Sequence, residues 1–251
     1  MYEDLKKIID ECSNIVFFGG AGVSTESGIP DFRSETGLYH AKQKYGYPPE
    51  TMLSHGFYVR HKDTFFEYYK ENLIYDDAAP NKAHLALAAL EKAGKLKAVI
   101  TQNIDGLHQK AGSKTVYELH GSVLRNYCEK CGASYPLSYI MDPENCDGYV
   151  PRCSRKKGES VCGGAVKPDV VLYEEPLDDG IMNGALNAIM KADCMIIGGT
   201  SLNVYPAAGL IYYFHGKHLV LINRDSTPFD SKADLVIHDK IGEVLGEVVG
   251  I

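Results

Sequence analysis

The sequence predicts an α/β fold: a doubly wound, Rossmann-like parallel sheet interrupted by a smaller domain made of two inserts. Three observations predict it. Ile15–Phe18 is a run of β-branched and aromatic residues leading directly into Gly19, Gly20 and Gly22, the pattern of a buried parallel strand ending in a tight turn. After about Lys167 short apolar runs alternate regularly with helical patterns, as in successive βαβ units. Between them, residues 121–166 hold five of the seven cysteines and must leave the sheet and return.

At 251 residues the chain suits one large domain with a smaller insert. Its hydrophobic content of 45% and charged content of 24% are those of an ordinary globular protein. A net charge of −7 argues against non-specific nucleic-acid or anionic-membrane binding, which needs a basic face. No apolar run reaches the length of a membrane span. The N-terminal stretch MYEDLKKIIDEC is an acidic amphipathic helix with Leu5, Ile8, Ile9 and Cys12 on one face, without the basic start of a signal peptide. The expectation is a cytoplasmic protein whose cysteines are reduced or metal-bound.

Along the chain, Glu35–Ala79 is rich in aromatics and broken at Tyr47–Pro49. It predicts a small helical insert, with helical turns from about Glu50 and Asp63 and its aromatic stripe serving as core. Asn81–Ala93 reads as a helix stopped by Gly94, followed by strands at Ala98–Thr101 and Thr115–Leu119. In the last third, strands are expected at Val170–Tyr173, Cys194–Gly198, His218–Ile222 and Leu235–Ile237. Helices are expected at Gly180–Lys191, Ala207–Phe214 and Ile241–Val249. The resulting division assigns 1–34, 80–120 and 167–251 to the Rossmann-like domain. Residues 35–79 and 121–166 form the small domain.

Chemistry-bearing residues gather where strands end. The Gly20-Ala21-Gly22 turn suits a diphosphate approached by backbone N–H groups, but Thr25 stands where a third glycine is usual. Gly28, Pro30, Asp31, Phe32 and Arg33 follow and leave little room for an ordinary crossover helix. After the second strand come Gln102, Asn103, Ile104 and Asp105. Asn103 and Asp105 together can bond both ends of a carboxamide such as that of nicotinamide; either alone reads as a helix cap. His120 ends the next strand beside Gly121 and, of nine histidines, is the one placed to act as a general base near neutral pH.

Cys128 and Cys131 form a C-x₂-C knuckle, and Cys153 with Cys162 reads as a second knuckle stretched by the basic segment Ser154–Val161. Two such pairs make a closed four-thiolate zinc ribbon, with Cys146 the competing third ligand. Cys12 and Cys194 fall in helix and strand patterns and are expected in the core.

Taken in order, Gly20–Ser24, Gly28–Arg33, Thr101–Asp105, His120-Gly121, the four cysteines, Gly199-Thr200-Ser201-Leu202 and Ile222-Asn223 resemble the sirtuins, NAD-dependent protein lysine deacylases. The resemblance covers essentially the whole chain. It implies that Gly20, Ala21, Gly22 and Thr25 line the diphosphate and ribose site, with Phe32 and Arg33 on a flexible cofactor loop. It implies ribose contact for Gln102 and a nicotinamide pocket at Asn103, Ile104 and Asp105. Thr200, Ser201 and Asn223 match diphosphate and adenosine-ribose contacts, and Lys240, beside Asp239, the adenine edge. Val171 and Tyr173 match the acyl-lysine channel, with the peptide added as a strand; His120 matches the catalytic base and Asn103 assists at the nicotinamide. One structural zinc ion and consumed NAD are implied. The chemistry would be loss of nicotinamide, attack of the acyl oxygen on the ribose, and release of free lysine with O-acyl-ADP-ribose. Partners are acyl-lysine proteins or peptides, with no membrane, no specific nucleic acid and no stated oligomeric state.

Two departures stand out. Glu174 occupies a position where the family often has glycine, and the Cys153–Cys162 spacing is long. Family members that favour acidic acyl groups carry Tyr and Arg where this chain has Phe66 and Tyr69, so acetyl or longer apolar acyl groups are expected over succinyl. Alternatives are mono-ADP-ribosyl transfer at the same site and a non-catalytic NAD or ADP-ribose binding module, the latter disfavoured by intact His120 and Asn103. A hydride-transferring dehydrogenase lacks its usual acidic residue, and the net charge disfavours a zinc-ribbon nucleic-acid binder.

Overall fold

The computed structural model describes residues 2–30 and 42–251. Its principal strands are β1 (Ile15–Gly19), β2 (Leu96–Thr101), β3 (Val116–Glu118), β4 (Gly121–Cys128), β5 (Ser134–Pro136), β6 (Val166–Val170), β7 (Cys194–Gly198), β8 (His218–Ile222) and β9 (Leu235–Ile237). Six of them make a wholly parallel sheet in the order β9-β8-β7-β1-β2-β3. The order reverses between β1 and β7, and in such sheets ligands bind beyond the carboxyl ends of the strands at that point.

The central strands are apolar along their whole length because both faces are covered. Ile15 and Phe17 join one core layer with Leu5, Leu87, Val244 and Leu245. Val16 and Phe18, on the opposite face, join another with Ile100, Ala185, Ile189 and Ile211. The alternation is the two-residue period of a strand. Each buried Phe here is worth about 1.5–3 kcal/mol over an exposed one. The helices Glu3–Glu11, Lys82–Lys92 and Ile241–Val249 supply the first layer and Asp179–Lys191 contributes to the second.

Strands β6-β4-β5 form a separate antiparallel sheet. Its core also takes in Met52, Phe57, Tyr58, Phe65, Phe66, Tyr68 and Tyr69 from the helices Pro49–Met52, His55–Arg60 and Lys62–Asn72, together with Cys128, Cys153 and Cys162. The aromatic stripe is core, and the two inserts share it.

The sequence-based strand at Val170–Tyr173 is corrected. The observed strand is Val166–Val170, and it pairs antiparallel with β4 rather than entering the parallel sheet. Beyond it the chain is held from two sides: the Val171 N–H donates to the His120 carbonyl at 3.0 Å, the Tyr173 N–H to the Leu53 carbonyl at 3.0 Å, and the His55 N–H to the Tyr173 carbonyl at 2.9 Å. Ala207–Tyr213 is a 3₁₀ helix rather than an α-helix.

Candidate functional site

The two glycine loops interlock at the switch point between β1 and β7. The Gly22 N–H donates to the Gly199 carbonyl at 2.8 Å. A Cβ at Gly22 would stand 2.8 Å from the Gly199 Cα, and one at Gly20 would stand 2.9 Å from the Thr200 Cβ. These glycines are therefore required first by loop-on-loop contact. The turn also uses its own donors: the Val23 and Ser24 N–H groups go to the Gly20 and Ala21 carbonyls, both at 3.0 Å. With those of Gly22, Val23 and Ser24 engaged, any N–H this turn offers to a diphosphate comes from Gly20 or Ala21.

Ser24 joins the first loop to the polar cluster after β2. It is buried, donates to Asp105 Oδ2 at 2.6 Å and accepts from Asn103 Nδ2 at 3.0 Å. Asp105 Oδ1 meanwhile accepts the Leu107 N–H at 2.9 Å, so this residue, just ahead of the N-cap Gly106, holds the first N–H of the helix Leu107–Ala111 and also faces the cluster. Asn103 does not cap; Thr101 Oγ1 accepts its backbone N–H at 3.0 Å. Sequence reasoning included Ser24 and Thr101 only within the matched stretches and gave them no role, and no spacing links Ser24 to partners about 80 positions away.

His120 lies between β3 and β4, half-buried. Its Nδ1 is 3.0 Å from the Gln102 carbonyl oxygen. A carbonyl only accepts, so Nδ1 carries the hydrogen, and in the neutral ring Nε2 holds the lone pair. The Gln102 side chain donates to Thr200 Oγ1 at 3.1 Å, so the histidine's tether continues into the second glycine loop. Gly121 has φ 76°, and a Cβ there would fall 1.8 Å from the Asp169 carbonyl oxygen. The turn that presents His120 thus accepts only glycine.

Behind Asp105, His84 and His108 form a buried pair with ring centroids 4.7 Å apart. His84 Nδ1 accepts the Asn81 N–H at 3.2 Å. Burial pushes His84 down to about 4 and His108 down to about 3, so both are neutral at physiological pH.

A cavity of about 720 Å³ opens above these elements. Gly20, Ala21, Gly22, Gln102, Asn103, Ile104, Asp105, His120, Val171, Tyr173, Thr200 and Ser201 all line it. Thr25 is outside the lining, its hydroxyl bonded to the Gly22 carbonyl at 3.0 Å. Asn223 and Lys240 follow the carboxyl ends of β8 and β9 but are also outside it. Phe32 and Arg33 lie outside the described residues. Phe66 and Tyr69 are fully buried in the aromatic core and do not line the cavity; Asn72, Leu73, Ile74 and Tyr75 represent that insert instead.

The Sγ atoms of Cys128, Cys131, Cys153 and Cys162 lie within 4.8 Å of one another, with Cys128–Cys162 at 3.7 Å and Cys131–Cys153 at 3.6 Å. A tetrahedral ion with Zn–S bonds of about 2.3 Å spaces its sulfurs by about 3.8 Å, so the set fits a structural zinc. The stretched knuckle works because Lys156–Lys157 and Ser160–Val161 pair as a hairpin and the Cys162 N–H donates to the Arg155 carbonyl at 2.9 Å. The Tyr135 hydroxyl stands 3.1 Å from Cys153 Sγ and accepts the Ser154 N–H at 3.0 Å. Cys146 is outside the cluster, in contact with Lys70 Nζ at 3.2 Å.

A family model described as the Sir2 family matches residues 20–206. An NAD-dependent protein deacetylase of Clostridium perfringens (strain 13 / Type A) is 62% identical over 246 residues, covering 98% of this chain and 97% of its own. The protein of the same description from Clostridium acetobutylicum is 60% identical over 246 residues, with the same coverage. Among solved structures, a Sir2 homologue–NAD complex superposes with a TM-score of 0.84 at 36% identity, covering all of this chain and 93% of that one. A complex of Sir2 with p53 peptide and NAD superposes at 0.85 and 36%, covering 100% and 97%.

Proposed function

The chain belongs to the Sir2 family, and we propose from this that its cavity removes acyl groups from protein lysines at the expense of NAD. It is an NAD-dependent protein deacetylase: nicotinamide, free lysine and O-acyl-ADP-ribose are the products. The observation that carries the reading is the convergence of His120, Asn103, Asp105 and both glycine loops on one cavity at the switch point of the sheet.

The residues divide the work by their bonding capacity. The glycine loops and Gln102 hold the diphosphate and ribose of NAD. Asn103 and Asp105, braced by Ser24, hold the carboxamide of nicotinamide and favour its departure. His120, with Nδ1 tied to Gln102, offers Nε2 to a ribose hydroxyl and takes its proton. Val171 and Tyr173 line the acyl-lysine channel. Thr25, Asn223, Lys240, Phe32 and Arg33 complete the cofactor contacts. The four cysteines hold a zinc that supplies structure, leaving no open position for catalysis. Residues 1–34, 80–120 and 167–251 form the NAD-binding unit, with 35–79 and 121–166 the smaller one.

Among the described lining residues the lysine is Lys110, and its Nζ donates to the Ala78 carbonyl at 2.8 Å. Among the described residues no other lysine or arginine lines the cavity, which supports acetyl or apolar acyl groups over succinyl. No helix of the described residues is long and apolar enough to cross a membrane, and no disulfide joins any two of the seven cysteines, which supports a reducing, cytoplasmic setting. The test is to incubate zinc-replete protein with NAD and an acetyl-lysine peptide. Equimolar nicotinamide, free lysine and O-acetyl-ADP-ribose support the reading; ADP-ribosylated protein without deacetylation, or no nicotinamide release, overturns it.

A further inference from the structure

Cys146 is the cysteine that neither the metal cluster nor the core absorbs. It begins the short strand Cys146–Asp147, which pairs with Val150–Pro151, and it is half-buried beside exposed Asp142, Pro143, Glu144 and Asp147. Its Sγ receives a hydrogen bond from Lys70 Nζ at 3.2 Å and lies 3.3 Å from the Asp142 carbonyl oxygen. Lys70 is near the end of the helix Lys62–Asn72 and is itself half-buried. Other lysines of this face are paired with carboxylates: Lys62 with Glu129 at 2.6 Å, and Lys44 with Glu67 and Glu71. No ion pair between Lys70 and a carboxylate occurs among the described residues; its partner there is a sulfur.

We propose that Cys146 and Lys70 form a self-acylation site that takes an acyl group from a small acyl thioester and stores it on Lys70. The Cys146 thiolate attacks the thioester carbonyl, a new C–S bond forms, and the donor's thiolate leaves and is protonated. The neutral form of the Lys70 amine then attacks the carbonyl carbon held on Cys146. A C–N bond forms, the C–S bond to Cys146 breaks, and the amine proton passes to the departing sulfur, regenerating the thiol. No oxidant or reductant is needed, and each acyl group consumes one thioester. Sulfur is the better first nucleophile at neutral pH, and holding the amine in contact with it makes the second step intramolecular. The product is an acyl-lysine, the chemical class that the proposed activity removes, so NAD makes the modification reversible.

The test uses the full-length zinc-loaded protein, S-acetyl-N-acetylcysteamine as thioester, no NAD, and peptide mass spectrometry over time. Lys70 is expected to acetylate at least about tenfold faster than exposed Lys7, an advantage expected of a placed nucleophile. Cys146→Ser is expected to remove that advantage while leaving Lys7 unchanged, with zinc content confirming the fold. Lys70→Arg is expected to accumulate a hydroxylamine-sensitive acetyl group on Cys146. Equal rates at Lys70 and Lys7, or an unchanged Lys70 rate in Cys146→Ser, overturns the proposal. A parallel incubation with NAD reads the deacetylase separately: loss of Lys70 acetylation supports its reversal. Persistence there, with acetyl-lysine peptides still turned over, overturns only the reversal, and persistence without peptide turnover points to failure of the deacetylase reading.

Discussion

Gly121→Ala is expected to damage both fold and catalysis, and the structure supplies the magnitude. Position 121 has φ 76°, where an L-residue costs about 1–2 kcal/mol. Its Cβ would lie 1.8 Å from the Asp169 carbonyl oxygen, against a practical limit of 3.0 Å, so that carbonyl must retreat by about 1.2 Å in a close-packed region. Asp169 and Val170 pair with Ser122 and Gly121 across β6 and β4, and the next residue, Val171, holds the His120 carbonyl. The retreat weakens a strand pairing worth about 1 kcal/mol per bond and shifts the base relative to its cavity. A total of about 2–4 kcal/mol lowers Tm by roughly 5–15 °C in a chain of this size. An ångström-scale shift of a catalytic group lowers kcat/KM by about 10²-fold. Gly94→Ala is the control: φ is 73° and nothing lies within 4 Å of its Cβ. It is expected to cost a few degrees in Tm without loss of turnover. O-acetyl-ADP-ribose formation and thermal unfolding read both effects. If Gly121→Ala keeps activity within threefold and melts with Gly94→Ala, the steric reasoning is wrong.

His120→Ala is expected to lower product formation by about 10²–10⁴-fold, the usual contribution of a general base, with Tm nearly unchanged; steady-state turnover and melting check it. Ser24→Ala removes the hydroxyl joining Asn103 to Asp105 and leaves two half-buried polar groups short of a partner, so nicotinamide release is expected to slow by at least about tenfold. Cys153→Ala is expected to release zinc while Cys146→Ser retains it, as metal analysis after gel filtration would show; equal zinc in both contradicts the four-sulfur assignment. For the buried histidines, burial lowers both rings in the folded state. As pH falls below the ordinary histidine value of about 6.5, the unfolded chain therefore binds protons that the folded one refuses. Stability from this source is complete above pH 6.5 and declines toward pH 4 and 3. His108→Met is expected to flatten the fall of Tm between pH 6.5 and 4.5, and an unaltered slope would remove the pair from the account.

Much of the parallel sheet could be read from the sequence because its strands are buried on both faces and bounded by glycine. Cys194–Gly198, His218–Ile222 and Leu235–Ile237 coincide with β7, β8 and β9 residue for residue. Val170–Tyr173 misled because Val-Val-Leu-Tyr resembles an interior strand, whereas backbone bonds to His120 and Leu53 decide its conformation. Those partners lie about 50 and 120 positions away. The glycine loops were legible as a site, but not the reason for their glycines, which is contact with each other. The zinc spacing gained its explanation only when Lys156–Val161 proved to be a hairpin that returns Cys162 to Cys153. Ser24, Thr101 and Tyr135 received no role from the sequence, because no spacing marks a hydroxyl's partner: those of Ser24 lie about 80 positions away, that of Tyr135 18 away, and that of Thr101 is a backbone N–H two residues on.

That hairpin has a practical corollary. Its tip, Gly158 at φ 62° with open space around it, is exposed and separated from the sulfurs by its own cross-strand bonds. Chain length there is decoupled from metal geometry, so an epitope or fluorophore attachment sequence spliced in after Lys157 would ride on the knuckle without stretching it.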